Sequence, residues 1–213
     1  MGDAVDRSDQ DGEGLSRRSF LTKAGFAAAA LAASGAAFEA LTTGVNAGAA
    51  TWWAPGEFRP HVRTWMAWPS SVNIWGNKLL KGVQADIATI AKTIAKYEPV
   101  IMCADGATAA SAARSACGAT VQVISSIPVN DCWMRDMGPL FRVNGAGGRD
   151  AFGLHFNGWG GKQTHAKDAL VASRVAAYVG VPFSAASVVG EGGGILFDGD
   201  GTLIATESAW VNS

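Results

Sequence analysis

The stretch Lys78–Cys103, KLLKGVQADIATIAKTIAKYEPVIMC, decides the architecture. Leu80, Val83, Ile87, Ile90 and Ile94 recur at spacings of three and four, with Lys81, Asp86, Lys92 and Lys96 falling mainly between them. That is the pattern of a helix with one apolar face, and it predicts a helix over Lys78–Tyr97. Pro99 closes the turn. Val100–Cys103 then runs apolar at every position, as a short strand covered on both faces requires.

The same alternation extends in both directions. Upstream, Val62–Trp68 is rich in β-branched and aromatic residues and is stopped by Pro69 and the Ser70-Ser71 pair, so it reads as a strand. Downstream, an Ala-rich helical stretch at about 107–116 leads through Gly118 to a strand at Thr120–Ile124. Strands at Leu140–Val143 and Ala151–Phe156 flank the hairpin-grade loop Asn144-Gly145-Ala146-Gly147-Gly148. Asp168–Val179 reads as a second amphipathic helix. Strands near 184–189, 194–197 and 202–206 follow, the last two joined by Asp198-Gly199-Asp200-Gly201. The chain is therefore α/β, and strand, strand, helix, strand recurs with a period of roughly fifty residues, as in a module repeated around an axis. A plain α/β sandwich would give a similar string.

The 213 residues are 48% hydrophobic and 16% charged, which excludes a disordered chain. A net charge of −1 supplies no field for holding phosphates and argues against a nucleic-acid partner. These averages mix two segments. Residues 1–49 hold 4 basic and 6 acidic residues, while all eight Trp lie beyond them. The first segment reads Ser16-Arg17-Arg18-Ser19-Phe20-Leu21-Thr22-Lys23, then a small apolar stretch from Ala24 to Ala37, then Ala47-Gly48-Ala49. This order resembles a twin-arginine export signal cleaved after Ala49. It implies a twin-arginine translocase as partner and a secreted or periplasmic mature protein spanning 50–213; an uncleaved anchor is the alternative reading. Cys103, Cys117 and Cys132 lack zinc-ligand spacing. Cys103 and Cys117 read equally as a pair or as two buried thiols, and no metal or other cofactor is expected.

Three clusters carry chemistry. In Asn130-Asp131-Cys132-Trp133-Met134-Arg135-Asp136-Met137-Gly138-Pro139, an Arg and two Asp stand between apolar strands, where each charge needs a partner or water. An extended turn would point Trp133 and Arg135 one way and Asp136 the other. A carboxylate here could accept two parallel N–H bonds from a planar guanidinium ligand. An internal Arg–Asp pair is the alternative. In Leu154-His155-Phe156-Asn157-Gly158-Trp159-Gly160-Gly161-Lys162, the glycines allow close backbone approach, while Asn157 and Trp159 offer hydrogen bonds and an aromatic wall to a cation. His155 reads as an ordinary strand histidine. In Gly190-Glu191-Gly192-Gly193-Gly194-Ile195-Leu196-Phe197-Asp198, a lone Glu in a glycine run can face a ligand directly. The spacing fits neither a nucleotide loop nor a calcium loop.

Together N-D-x-W-x-R-D-x-G-P, F-N-x-W-G-G-K and E-G-G-G-I-x-x-D-G-x-G-T-x-x-x-T-E resemble the agmatine deiminase family, also known as Porphyromonas-type peptidylarginine deiminases. Arg63-Thr64-Trp65-Met66-Ala67-Trp68-Pro69 fits the family's opening strand, so the resemblance covers about residues 53–213. It implies a pentein fold, a propeller-like ring of ββαβ modules around a polar site. It also implies hydrolysis of agmatine to N-carbamoylputrescine and ammonia, a step toward putrescine. By position, Asp136 and Glu191 would be the catalytic carboxylates that grip the guanidinium, with Trp133, Asn157 and Trp159 lining the substrate.

The family's H-x-D histidine and C-terminal cysteine have no match here, and Cys132 stands where the motif commonly has Ser. The chain therefore reads as the N-terminal half of a deiminase with an incomplete ring. Protein-arginine deimination, or a catalytically dead guanidinium-binding fragment, are the alternatives.

Overall fold

The computed structural model describes residues 51–210, so the export signal and its cleavage after Ala49 lie outside the described residues. Three strands, β2 (Thr64–Ala67), β3 (Val100–Cys103) and β4 (Val121–Ile124), pair in parallel in that order, with Thr64 opposite Val100 and Val100 opposite Val121. Parallel neighbours need crossovers, and helices α1 (Val72–Ile94) and α2 (Gly106–Cys117) supply them. Strand residues alternate in facing. Met66, Trp68, Val100, Met102, Val121 and Val123 pack on Ala88 and Ala91 of α1 and Ala109, Ala110 and Ala113 of α2. The small alanines let both helices sit close to the sheet. Ala67 and Cys103 point the other way, into a second cluster with Ile127, Val129, Met137, Phe156, Val171 and Val175.

A second sheet runs β1 (Trp52–Trp53), β5 (Leu140–Asn144), β6 (Arg149–Gly153), β7 (Phe183–Ala185). The β5–β6 hairpin is held in register where Arg142 faces Asp150, with Nε to Oδ1 at 3.0 Å and Nη2 to Oδ2 at 2.5 Å. Helix α5 (Val171–Val179) carries the chain from β6 to the parallel β7; the short turn α3 (Met134–Met137) precedes β5, and α4 (Gly158–Gly161) lies between β6 and α5. A third, two-stranded sheet is the hairpin β8 (Ile195–Phe197) and β9 (Leu203–Ala205), followed by α6 (Glu207–Trp210). Its turn is closed by Asp198, whose Oδ1 accepts from the N–H groups of Asp200 at 2.8 Å and Thr202 at 2.9 Å.

The mixed α/β architecture matches the sequence expectation, with differences at the edges. Helix α1 begins at Val72 rather than Lys78, because a separate first turn precedes Gly76, whose φ of 66° interrupts the helix. The apolar periodicity starts only beyond that break. Strand β6 ends at Gly153 and not Phe156; the Phe156 N–H turns back to the Leu154 carbonyl at 2.8 Å. Among the described residues, the order strand, strand, helix, strand is complete in β5, β6, α5, β7 alone. The first unit is strand, helix, strand, helix, strand, since β1 pairs with β5 in the other sheet. The described strands form three open sheets, and no closed sheet occurs among the described residues. Cys103 and Cys117 are buried free thiols, so the disulfide alternative is not realised.

Candidate active site

Met137 of α3 is buried in the second cluster, and Met134, three residues earlier, packs against it. Residues three apart on a helical turn share a face, so Trp133 and Asp136 stand together on another side. This corrects the extended reading of the segment, which had set them apart. Arg135 turns to Glu57, donating from Nη1 at 2.5 Å, and reaches the Ile195 carbonyl from Nη2 at 3.4 Å. The internal Arg–Asp pair is therefore not what fixes the loop; Arg135 bonds residues far away in sequence and leaves Asp136 available.

The glycine run of Gly190–Gly194 lies directly on α3. A Cβ on Gly192 would strike the Arg135 carbonyl, and one on Gly193 would strike Asp136 Oδ1. These glycines are required by close approach. Burial pushes the Asp136 carboxyl above its ordinary pKa, against the opposing pull of the nearby Gly193 N–H, of the Trp159 side chain and of Arg135. Glu191 is also raised, first by burial and then by the charge of Asp136. Two partly desolvated carboxylates thus stand close enough for the charge of Asp136 to raise the cost of ionising Glu191, a cost that a nearby cation would lower. Trp210 covers the other end of the run, donating from Nε1 to the Gly194 carbonyl at 3.1 Å.

The third cluster completes the wall. Asn157 Oδ1 accepts from Gly160 N–H at 2.7 Å, which shapes the α4 turn. Trp159 sits in that turn at φ 57°, ψ 52°, packs edge-on against Phe156 at 5.0 Å, and its side chain lies close enough to Asp136 to pull that carboxyl's pKa down. Trp133, 48% exposed, meets Trp159 edge-to-face at 6.4 Å. Trp133, Asp136, Trp159 and Glu191 are therefore brought together from three separate segments, with Asn157 supporting Trp159 from within its turn. His155 is exposed, and its N–H donates to the Val188 carbonyl at 3.2 Å.

Beneath this wall lie residues that the sequence motifs left without a role. Asp131 and Asp168 are each 1% exposed. Asp131 accepts from Trp75 Nε1, Gln163 Nε2 and the Cys132 N–H, at 2.7, 2.7 and 2.8 Å. Asp168 accepts from the Asn130 N–H at 2.6 Å, and burial pushes its pKa up to about 6. Burial and the neighbouring Asp131 push the Cys132 thiol up to about 12, so at neutral pH it is no thiolate and no nucleophile. A separate cavity of about 370 Å³ is lined by Arg59, His61, Arg63 and Arg135 beside Trp65 and Phe141. None of the five sequence-predicted site residues lines it. Glu57 also lines it and pairs with Arg135, yet its three arginines leave a cationic excess, the wrong sign for a guanidinium.

Residues 53–213 match the family model described as Porphyromonas-type peptidyl-arginine deiminase. The chain is 35% identical over 164 residues to the agmatine deiminase of Ectopseudomonas mendocina, covering 74% of this chain and 44% of that protein. It is 34% identical over 167 residues to the agmatine deiminase of Stutzerimonas stutzeri, covering 76% and 45% respectively. Among solved structures, the agmatine deiminase of Enterococcus faecalis aligns with a TM-score of 0.71 at 29% identity, over 76% of this chain and 45% of that one. The chain spans about half the length of the curated relatives it matches.

Proposed function

The chain belongs to the Porphyromonas-type peptidyl-arginine deiminase family, and from that premise we propose that it forms the guanidinium-gripping part of an agmatine deiminase. The observation that carries this reading is the pair of partly buried carboxylates Asp136 and Glu191, the charge of Asp136 acting on Glu191, beside the aromatic wall of Trp133 and Trp159. A guanidinium is resonance-stabilised and a poor electrophile. Asp136 and Glu191 hold its N–H groups and keep the positive charge in place while a thiolate adds to the carbon; ammonia leaves, and water then releases the ureido product. The balance is one guanidinium and one water to one ureido group and one ammonium ion. Trp133 and Trp159 face the cation and its alkyl chain, and Asn157 holds the Trp159 turn. We assign the thiolate and the proton-delivering imidazole to the part of the protein that corresponds to the remaining half of its relatives. The modules β2–β4 and β5–β7 would then be two blades of a pentein ring closed by that part.

The test is ureido formation by the whole protein as its gene encodes it. Agmatine is the expected substrate, turned over in preference to arginine and to peptidylarginine. Asp136→Asn and Glu191→Gln should each lower kcat/KM by at least roughly a hundredfold. Preference for peptidylarginine would move the substrate to protein side chains, and binding of guanidines without ammonia release would leave a binding module.

The export reading is part of the same proposal. Arg17 and Arg18 would be read by a twin-arginine translocase, with residues 50–213 exported folded, and the role would depend on the planar guanidinium fork and not on charge alone. Residues 1–52 fused to a reporter that must fold before export should secrete it, and Arg17→Lys/Arg18→Lys should retain it. Equal secretion would return the segment to an ordinary signal or an anchor.

A further inference from the structure

Trp75 belongs to none of the three motif clusters, yet it reaches the same wall. Its ring stacks on Trp133 with centroids 6.4 Å apart and planes 29° apart, and Trp133 in turn meets Trp159 at 87°. Two features hold Trp75 there. The first is the break in α1: the Trp75 N–H closes a first turn onto the Ser71 carbonyl at 3.1 Å, and Gly76, at φ 66° and ψ 164°, ends that turn before the main helix starts. Only glycine takes that φ freely, so the turn bearing Trp75 is aimed independently of the helix that packs on the sheet. The second is the bond from Trp75 Nε1 to Asp131 Oδ1 at 2.7 Å, while Asp131 Oδ2 takes Gln163 Nε2 at 2.7 Å. One fully buried carboxylate thereby ties the first turn of α1, the segment that leads into Trp133 and the loop that follows Trp159.

Resting on the functional reading above, we infer that Trp75 is a positioning residue for the guanidino substrate, acting through Trp133. Trp133 is 48% exposed and lies at the start of a four-residue helical turn, so little else fixes its ring. Unbacked, it samples several rotamers, and ordering it would be charged against substrate binding. Stacked on Trp75, it is set before the substrate arrives. The benefit applies equally to bound substrate and transition state, so losing it raises KM and leaves kcat nearly unchanged.

Steady-state kinetics with agmatine on the whole protein test this, beside thermal melting of each variant. Trp75→Ala should raise KM roughly tenfold with kcat within about twofold, on the reasoning that uniform binding is lost. Trp75→Phe keeps a flat ring behind Trp133 without the N–H, and should bring KM back to within roughly threefold of wild type. Should Trp75→Ala not accumulate as folded protein, Trp75→Leu fills the space without a flat face and carries the same expectation as the alanine. Unchanged KM, a fall in kcat alone, or a Trp75→Phe no better than Trp75→Ala would each overturn the inference, whatever the melting temperature does. A wild-type protein that turns over no guanidino compound overturns the functional reading itself; wild-type turnover with a flat KM series overturns only the role of Trp75.

Discussion

Trp159 sits beside Asp136, whose pKa its side chain pulls down, on a backbone at φ 57°, ψ 52°, a left-handed conformation that a residue with a Cβ adopts at a cost of about 1–3 kcal/mol. Gly158, Gly160 and Gly161 around it share positive φ without that cost. The one bulky residue in the turn is the one whose side chain reaches the carboxylate, so the strain is held where the site needs a donor. Its ring contact with Phe156 acts against that cost.

Trp159→Phe should keep the packing on Phe156 and remove the N–H from Asp136. Since that bond pulls the Asp136 pKa down, its loss moves the carboxyl further above its ordinary range. Guanidinium binding needs the ionised form, so the acidic limb of kcat/KM should shift to higher pH, with a loss of roughly 10–100-fold on the plateau, the worth of one hydrogen bond to a charged group. An acidic limb that stays in place would show that the bond does not govern Asp136.

Gly193→Ala places a methyl against Asp136 Oδ1 and Gly145→Ala places one in open space within the β5–β6 loop. The first should displace the Asp136 carboxylate or the N–H that bonds it, and lower guanidinium affinity at least roughly tenfold, on the scale of one misplaced charge-assisted contact. The second should change neither affinity nor melting temperature. Calorimetric titration with agmatine compares the two.

Burial pushes the Asp168 pKa up to about 6 from an ordinary 3.8, so the folded state binds more protons than the unfolded one between those values. Stability must then fall as pH rises through that window, and be fully present below it. Asp168→Asn retains an acceptor for the Asn130 N–H and removes the titration. Its melting temperature should gain on wild type between roughly pH 4 and pH 6. Parallel curves for the two proteins would place the pH dependence elsewhere.

Cys132→Ser should leave deimination within about twofold of wild type, since a thiol pushed up to about 12 contributes no thiolate near neutrality. Alkylation of Cys132 by iodoacetamide at pH 7 should likewise be negligible in the folded protein and complete in urea. Loss of ammonia release on this substitution alone would restore it as a nucleophile.

Wherever structure follows from neighbours in sequence, the chain could be read directly. β3 lies at Val100–Cys103 because four consecutive apolar residues follow Pro99, and the β8–β9 hairpin lies at Asp198-Gly199-Asp200-Gly201 because Asp198 bonds the N–H groups of its own turn. The motifs also marked Trp133, Asp136, Trp159 and Glu191 before any contact was visible. What the motifs could not carry is the local shape of each segment. The Trp133–Asp136 stretch has no period long enough to distinguish a strand from a single helical turn, and its helical form comes from burying Met134 and Met137 together.

Composition, periodicity and turn chemistry by themselves determined the α/β class and the places of its principal helices and strands. Tertiary structure alone decided that Gly193 closes on Asp136 across 57 residues of chain, that Arg135 turns away to Glu57, and that Trp75 backs Trp133 through Asp131. The physical reason is the range of the forces. Backbone propensity and side-chain spacing act over a few residues, whereas a shared desolvated place for two carboxylates exists only once distant segments have packed and excluded water together.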